Sequence, residues 1–67
     1  MTPRRMKTLI RDRRQALGLS QRELARKVGV TDAYIALLET GKKTNPSLDV
    51  LKALAKALDV DVADLLG

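Results

Sequence analysis

The chain has 67 residues, which limits it to one domain, and it holds no cysteine and no histidine, which excludes a disulfide framework, a cysteine-rich zinc site and the usual neutral-pH base. Its net charge is +5, from 13 Lys/Arg against 8 Asp/Glu, and we expect no metal and no small-molecule cofactor. No apolar run approaches the ~20 residues that cross a bilayer and no signal-peptide apolar region is visible, so we expect a soluble cytoplasmic protein without a membrane partner.

The first predicted helix runs from about Pro3 to Leu17. Thr2 can cap it, and proline suits a first helical position because its missing N–H needs no partner there. Gly18 is expected to end it in a left-handed conformation. Its predicted inner face consists of Met6, Leu9, Ile10, Arg14 and Leu17.

The second and third predicted helices are short and are joined by a glycine turn. Ser20 and Glu23 form an S-x-x-E capping box at the start of a helix over 21–28. Gly29 ends that helix, and a third follows over 32–40. The inward residues are Leu24, Ala25 and Val28 in the second helix and Ile35 and Leu38 in the third. Two short helices joined by a three-residue turn with glycine are typical of the helix-turn-helix unit.

Two further helices complete the prediction. The fourth follows Ser47 and runs to Leu58, and Asp61 caps a short fifth helix. The fourth is predicted to bury Leu48, Leu51, Leu54, Ala55 and Leu58, and the fifth contains Val62, Leu65 and Leu66. Apolar spacing is helical throughout, without strand alternation. The sequence therefore predicts an all-α bundle of about five short helices in a single domain over residues 1–67.

The third helix carries almost no charge on its outer face. With Ile35 and Leu38 inward, steps of about 100° per residue turn the opposite side chains outward. The outward residues are Ala33, Ala36, Leu37 and Thr40, with Asp32 and Tyr34 at the flanks.

Positive charge is concentrated in the first half of the chain. Residues 1–31 hold nine Lys/Arg and two Asp/Glu, a net of +7, whereas residues 32–67 hold four and six, a net of −2. A basic half on a small domain indicates a nucleic acid partner, or only a solvated surface that aids solubility.

Four segments together resemble the phage-repressor type of helix-turn-helix regulator, also called the Xre or Cro-like family. They are "LGLSQRELARKVGV", "YIALLETGKK", "NPSLDVLKALAKAL" and "DVADLL", and the resemblance covers roughly residues 6–66. It implies a lambda-repressor-like bundle that binds double-stranded operator DNA and regulates transcription. In such proteins the second helix of the motif, here 32–40, lies in the major groove, and the first crosses the backbone.

The resemblance also implies roles for individual residues. The base-contacting set is Asp32, Ala33, Tyr34, Ala36 and Leu37. The phosphate-contacting set is Gln21, Arg22, Thr40, Lys42, Lys43, Thr44 and Asn45, although the loop after Gly41 is one residue longer than the common form. Arg14 and Glu39 are expected to form a structural ion pair.

Several of these roles have alternatives. Tyr34 either meets the groove wall or packs against the second or fourth helix. Asp32 either accepts from a cytosine or only complements the helix dipole. Basic side chains near the N-terminus either extend the phosphate footprint or form a solvated face; they are Arg4, Arg5, Lys7 and Arg11.

Three classes of function remain to be weighed. A regulator of this type usually binds as a homodimer, and a dimer contact would come from residues 60–66 or from the loop before the fourth helix, unless these complete the core. The apolar third helix also suits a protein-interaction module or antitoxin on the same fold. Nothing resembles an acid–base pair or a phosphate-binding glycine loop, so we expect no enzyme. The sequence does not distinguish repression from activation.

Overall fold

The computed structural model describes residues 3–67, with side chains from Met6 onward, and this range contains five helices and no strand. They are α1 (Pro3–Ala16), α2 (Gln21–Val28), α3 (Asp32–Thr40), α4 (Leu48–Leu58) and α5 (Val62–Leu66). The predicted all-α bundle is confirmed. The predicted cap at Thr2 and the side chains of Arg4 and Arg5 lie outside what is described. No helix in this range has the length and apolarity of a membrane span.

All five helices contribute to one hydrophobic core. Its buried residues are Met6, Ile10, Leu24, Ala25, Ile35, Leu38, Leu51, Leu54, Ala55, Leu58 and Leu65. Burying a large aliphatic side chain contributes about 1.5–3 kcal/mol. The entropy lost on ordering the chain offsets most of this total, so a domain of this size depends on every helix packing.

The turn between α2 and α3 is held by local hydrogen bonds. Gly29 adopts φ +87°, and its N–H and that of Val30 both donate to the Ala25 carbonyl, at 2.7 and 3.0 Å. A left-handed residue is required here, and glycine adopts it without a Cβ clash. Thr31 Oγ1 then accepts the Tyr34 N–H at 3.0 Å and starts α3. Val30 packs against the core. Helix α3 begins directly after this turn, as expected.

A side chain of α1 reaches the far end of α4. Arg13 Nε donates to the Leu58 carbonyl at 3.1 Å. The last carbonyls of a helix have no partner within it, so this bond satisfies one of them and ties α1 to α4.

Two predicted core positions are wrong. Leu17 is 43% exposed because α1 ends at Ala16, and a bond from the Leu19 N–H to the Arg14 carbonyl folds Leu17 into the turn. Leu48 is 58% exposed although it shares a helical face with Leu51. Helical spacing gives the direction of a side chain but not whether another element covers it. Val28, also predicted to face inward, is half-buried and packs against the core.

Candidate nucleic-acid interface

Helix α3 presents one face to solvent and buries the other. Ile35 and Leu38 are fully buried, whereas Leu37 on the opposite side is 41% exposed. The predicted outward residues that are exposed are Asp32, Ala33, Leu37 and Thr40, and those half-buried are Tyr34 and Ala36. The nine residues of α3 span about 13 Å at 1.5 Å per residue. The exposed face is therefore short and almost free of charge.

Both carboxylate oxygens of Asp32 have neighbours on the protein. Oδ1 accepts the Ala33 N–H at 2.9 Å, and Oδ2 lies 3.9 Å from Arg22 Nε. These contacts favour the helix-dipole role for Asp32, because an acid in the first turn stabilises the free N–H groups. The pair with Arg22 is widely exposed and contributes little to stability.

The loop after α3 is folded back onto the end of that helix. Gly41 adopts φ +80°, and its N–H donates to the Leu38 carbonyl at 3.3 Å. The Leu37 carbonyl accepts the Lys43 N–H at 3.1 Å and the Thr40 hydroxyl at 3.2 Å. These bonds hold residues 41–45, which we call the lysine loop, beside the exposed face of α3. Its exposed members are Lys42, Thr44 and Asn45.

Lys43 and Tyr34 form a cation–π contact along the edge of α3. The Lys43 ammonium lies 5.4 Å from the centre of the Tyr34 ring, within the range of attraction between a cation and an aromatic face. Tyr34 also packs against the core. It therefore supports a positive charge at the border of the exposed face, in addition to the packing role that was one of its predicted alternatives.

A buried polar cluster connects α1, α2 and α3. Arg14 and Glu39 form the expected ion pair, through bonds of 2.6 Å (Nε to Oε2) and 2.9 Å (Nη2 to Oε1). Arg14 also donates to the Leu19 carbonyl at 2.8 Å, and Gln21 Nε2 donates to Glu39 Oε1 at 3.2 Å. The hydrogen bonds that Arg14 donates to Glu39 raise the pKa of Arg14 above its usual value. The cluster fixes the end of α3 against the other two helices.

The amino end of α2 keeps two backbone donors available. The capping box is present: Ser20 Oγ accepts the Glu23 N–H at 3.0 Å, and Glu23 Oε1 accepts the Ser20 N–H at 2.8 Å. Bonds from Ser20 lower the pKa of Glu23 below its usual value and keep it charged. The N–H groups of Gln21 and Arg22 have no acceptor within the helix, and such groups suit a phosphate.

The structure brings the two predicted sets together around α3, and it also adds contacts that were not predicted. The amide of Gln21 is bonded to Glu39, so its side chain meets the ion pair and not only solvent. Lys7 of α1 lies against Gly41. Helical spacing offered one sign of the Lys7 contact, because Lys7 is two turns before Arg14 on the same face of α1.

From Met6 onward, no three carboxylates are grouped as a metal site.

Comparison with known proteins identifies relatives of the whole fold. The model of the family described as "Helix-turn-helix" matches residues 10–65. An uncharacterized HTH-type transcriptional regulator of Methanothermobacter thermautotrophicus is 51% identical over 53 residues, which cover 79% of this chain and 75% of that protein.

Two solved structures are also similar. The N-terminal DNA binding domain of SinR from Bacillus subtilis superposes with a TM-score of 0.86 and 37% identity, over 92% of this chain and 90% of that one. The restriction-modification controller protein C.AhdI from Aeromonas hydrophila gives a TM-score of 0.83 and 35% identity, over 94% of each chain. The chain matches 51% of the length of Bacillus subtilis SinR.

The match over residues 10–65, the glycine turn between α2 and α3 and the shared bundle agree with one another. The chain belongs to the helix-turn-helix family.

Proposed function

We propose that this chain is a DNA-binding transcriptional regulator that inserts α3 into the major groove. The observation that carries the proposal is the exposed, nearly uncharged face of α3, bordered by the lysine loop at its carboxyl end. The major groove is about 12 Å wide and admits a helix. The relatives are named as transcriptional regulators, and SinR is one whose structure was determined in complex with DNA.

In this proposal, one set of residues binds the DNA phosphates and another set reads the base sequence. Phosphate contacts position a protein, whereas base edges specify a sequence. The phosphate contacts are those of Gln21, Arg22, Thr40, Lys42, Lys43, Thr44 and Asn45. The base contacts are those of Ala33, Tyr34, Ala36 and Leu37, whereas Asp32, whose carboxylate oxygens already have neighbours on the protein, complements the helix dipole. Apolar side chains in this second set meet thymine methyl groups, so we expect modest base specificity or reading of DNA shape.

A homodimer on a two-fold site is part of the proposal. Leu66 of α5 and Leu48, directly after the loop before α4, are 66% and 58% exposed. A dimer contact was expected from residues 60–66, which include Leu66, or from the loop before α4, which Leu48 directly follows. Two half-sites one helical turn apart suit a dimer of such domains. We also propose a cytoplasmic location and a binding role without catalysis.

The proposal is tested by selecting bound sequences from random duplex DNA and then comparing two variants. Leu37→Ala removes a groove-facing side chain and is expected to change which sites are preferred. Lys42→Ala removes a phosphate contact and is expected to weaken all sites alike, with the slope of log affinity against log salt reduced by about 0.9. Fluorescence anisotropy on selected and unselected duplexes measures both effects.

The proposal fails if the wild-type protein shows no salt-dependent binding to any duplex. Insertion of α3 fails if Leu37→Ala leaves the order of preferred sites unchanged. Lys42→Ala is the control for that result, because it alters affinity without altering preference.

A protein-interaction module or antitoxin on the same fold is the second candidate. Leu37 favours it, because an exposed leucine in the middle of α3 also suits a protein surface. The salt titration separates the two candidates. A DNA-binding protein loses affinity steeply as salt rises, because counterions are released from bound phosphates, whereas an apolar protein contact does not.

A further inference from the structure

The side chain of Lys7, on α1, lies across the carboxyl end of α3. A β-carbon built on Gly41 would lie 3.0 Å from Lys7 Cδ and 3.4 Å from Lys7 Nζ. Lys7 is half-buried, which is unusual for a lysine and indicates that its alkyl chain packs on the glycine. Because Gly41 has no side chain, the ammonium of Lys7 is brought to the first residue of the lysine loop.

The charge of Lys7 has no partner in the part of the molecule from Met6 onward. No hydrogen bond or ion pair joins its ammonium to a side chain or carbonyl there. By contrast, Arg14, two turns later on the same face of α1, is fully engaged with Glu39 and the Leu19 carbonyl. The ion pair holds this face of α1 against α3, so the position of Lys7 is set by the same packing.

We infer that Lys7 is a DNA phosphate contact, which acts together with Lys42 and Lys43 as a cationic cluster drawn from two separate elements. This inference rests on the proposed function. The alkyl chain is already ordered on Gly41, so less side-chain entropy is lost when the ammonium meets a phosphate. Arg11, on the same helix, does not share this arrangement, because it is exposed and its nearest acid is Asp12 at 3.9 Å.

The alternative for Lys7 is a purely structural role, since a cation at the end of a helix is favoured by the helix dipole. The two roles differ in what they predict for DNA. A structural cation alters the stability of the protein but not the number of counterions released on binding.

The test compares Lys7→Met with Lys7→Arg and Lys56→Met on a mixed-sequence 20-base-pair duplex. Methionine keeps an unbranched chain over Gly41 and removes the charge, and arginine keeps the charge. Lys56→Met removes the same charge from a groove lined by Asp59, Asp61 and Asp64, away from α3. Affinity is measured by anisotropy between 50 and 200 mM salt, with folding of each variant checked by circular dichroism.

We expect Lys7→Met to reduce the salt slope by about 0.9 per protomer, which is about a 3.5-fold smaller loss of affinity between those two salt concentrations. Lys7→Arg and Lys56→Met are expected to keep the wild-type slope. The inference alone is overturned if wild type binds DNA and Lys7→Met keeps its slope, even if its unfolding midpoint falls. If wild type does not bind the duplex at any salt concentration, both the inference and the proposed function are overturned.

Discussion

At the scale of single residues, the ion pair between Arg14 and Glu39 decides how the candidate interface is held. The two side chains are 12% and 5% exposed, so their charges are largely removed from water. Such burial costs free energy, which is recovered only when the geometry is good and the remaining donors are satisfied. Two short bonds join the pair, and further bonds reach the Leu19 carbonyl and the Gln21 amide.

Removing one charge of this pair should be costly. Glu39→Gln preserves the shape of the side chain but leaves the Arg14 cation without its counter-ion in a buried site. We expect the free energy of unfolding to fall by about 3–5 kcal/mol, as is found when one partner of a buried pair is lost. Urea denaturation followed by circular dichroism measures this change, and in a domain of this size it would leave much of the protein unfolded.

The matched control removes both charges at once. Arg14→Met combined with Glu39→Leu fills the site with apolar groups and is expected to regain most of the lost stability. A loss below about 1 kcal/mol for Glu39→Gln alone, the size of an exposed pair, would contradict the view that this pair is effectively buried.

At the scale of elements, the helices differ in the type of residue that ends them. Gly29 and Gly41 end α2 and α3 in left-handed conformations that suit glycine. Helix α4 ends instead on Asp59, which has φ +59° and is the one non-glycine residue with positive φ among those described. Its left-handed backbone conformation is less favourable for a residue with a Cβ than for glycine, and its negative charge lies at the negative end of the helix dipole.

Replacing Asp59 should therefore stabilise the protein. Asp59→Gly removes the Cβ clash and the unfavourable charge, and the extra freedom of glycine in the unfolded chain offsets part of the gain. We expect an increase of about 1 kcal/mol in the free energy of unfolding, measured by urea denaturation. Asp59→Asn separates the causes, because it removes the charge and keeps the Cβ. A decrease in stability for Asp59→Gly would show that the aspartate makes a stabilising contact that outweighs its strain.

At the scale of the whole molecule, charge and apolar surface are placed on different parts of the bundle. The lysine loop and Arg22 lie beside α3, whereas three acids, Asp59, Asp61 and Asp64, line a groove near the end of α4. This separation of charge favours an orientation in which the α3 side of the molecule faces a polyanion. The exposed leucines of α4 and α5 offer apolar surface for the proposed second copy.

The proposed dimer contact predicts the effect of a charge on α5. Leu66→Glu should leave the fold intact, because the side chain is 66% exposed, but it should lower both the dimer fraction and the affinity for a two-fold DNA site. Sedimentation equilibrium and anisotropy measure these two quantities. Leu17→Glu is the control, since Leu17 is exposed but lies outside both expected contact segments. Equal behaviour of the two variants would exclude α5 from the dimer contact.

The local features of this protein were determined by its sequence alone. Ser20, Glu23, Gly29 and Thr31 act through neighbours within four residues, so the boundaries of α2 and α3 and the turn between them could be predicted from spacing. The burial of Ile35 and Leu38, and with it the outward direction of Leu37, follows from the period of the helix. The Arg14–Glu39 pair, 25 residues apart in the chain, was expected only through the family resemblance.

Only the tertiary structure decided which surfaces are covered and which charges meet. Leu48 has the spacing of a core residue, yet no helix covers it. A lysine is usually solvated, yet the alkyl chain of Lys7 lies on Gly41, 34 positions away in the chain. The Gln21 amide bonds to Glu39 because the packing of α2 against α3 brings the two side chains together. Helical period determines the direction of a side chain, whereas the packing of separate helices determines what it meets.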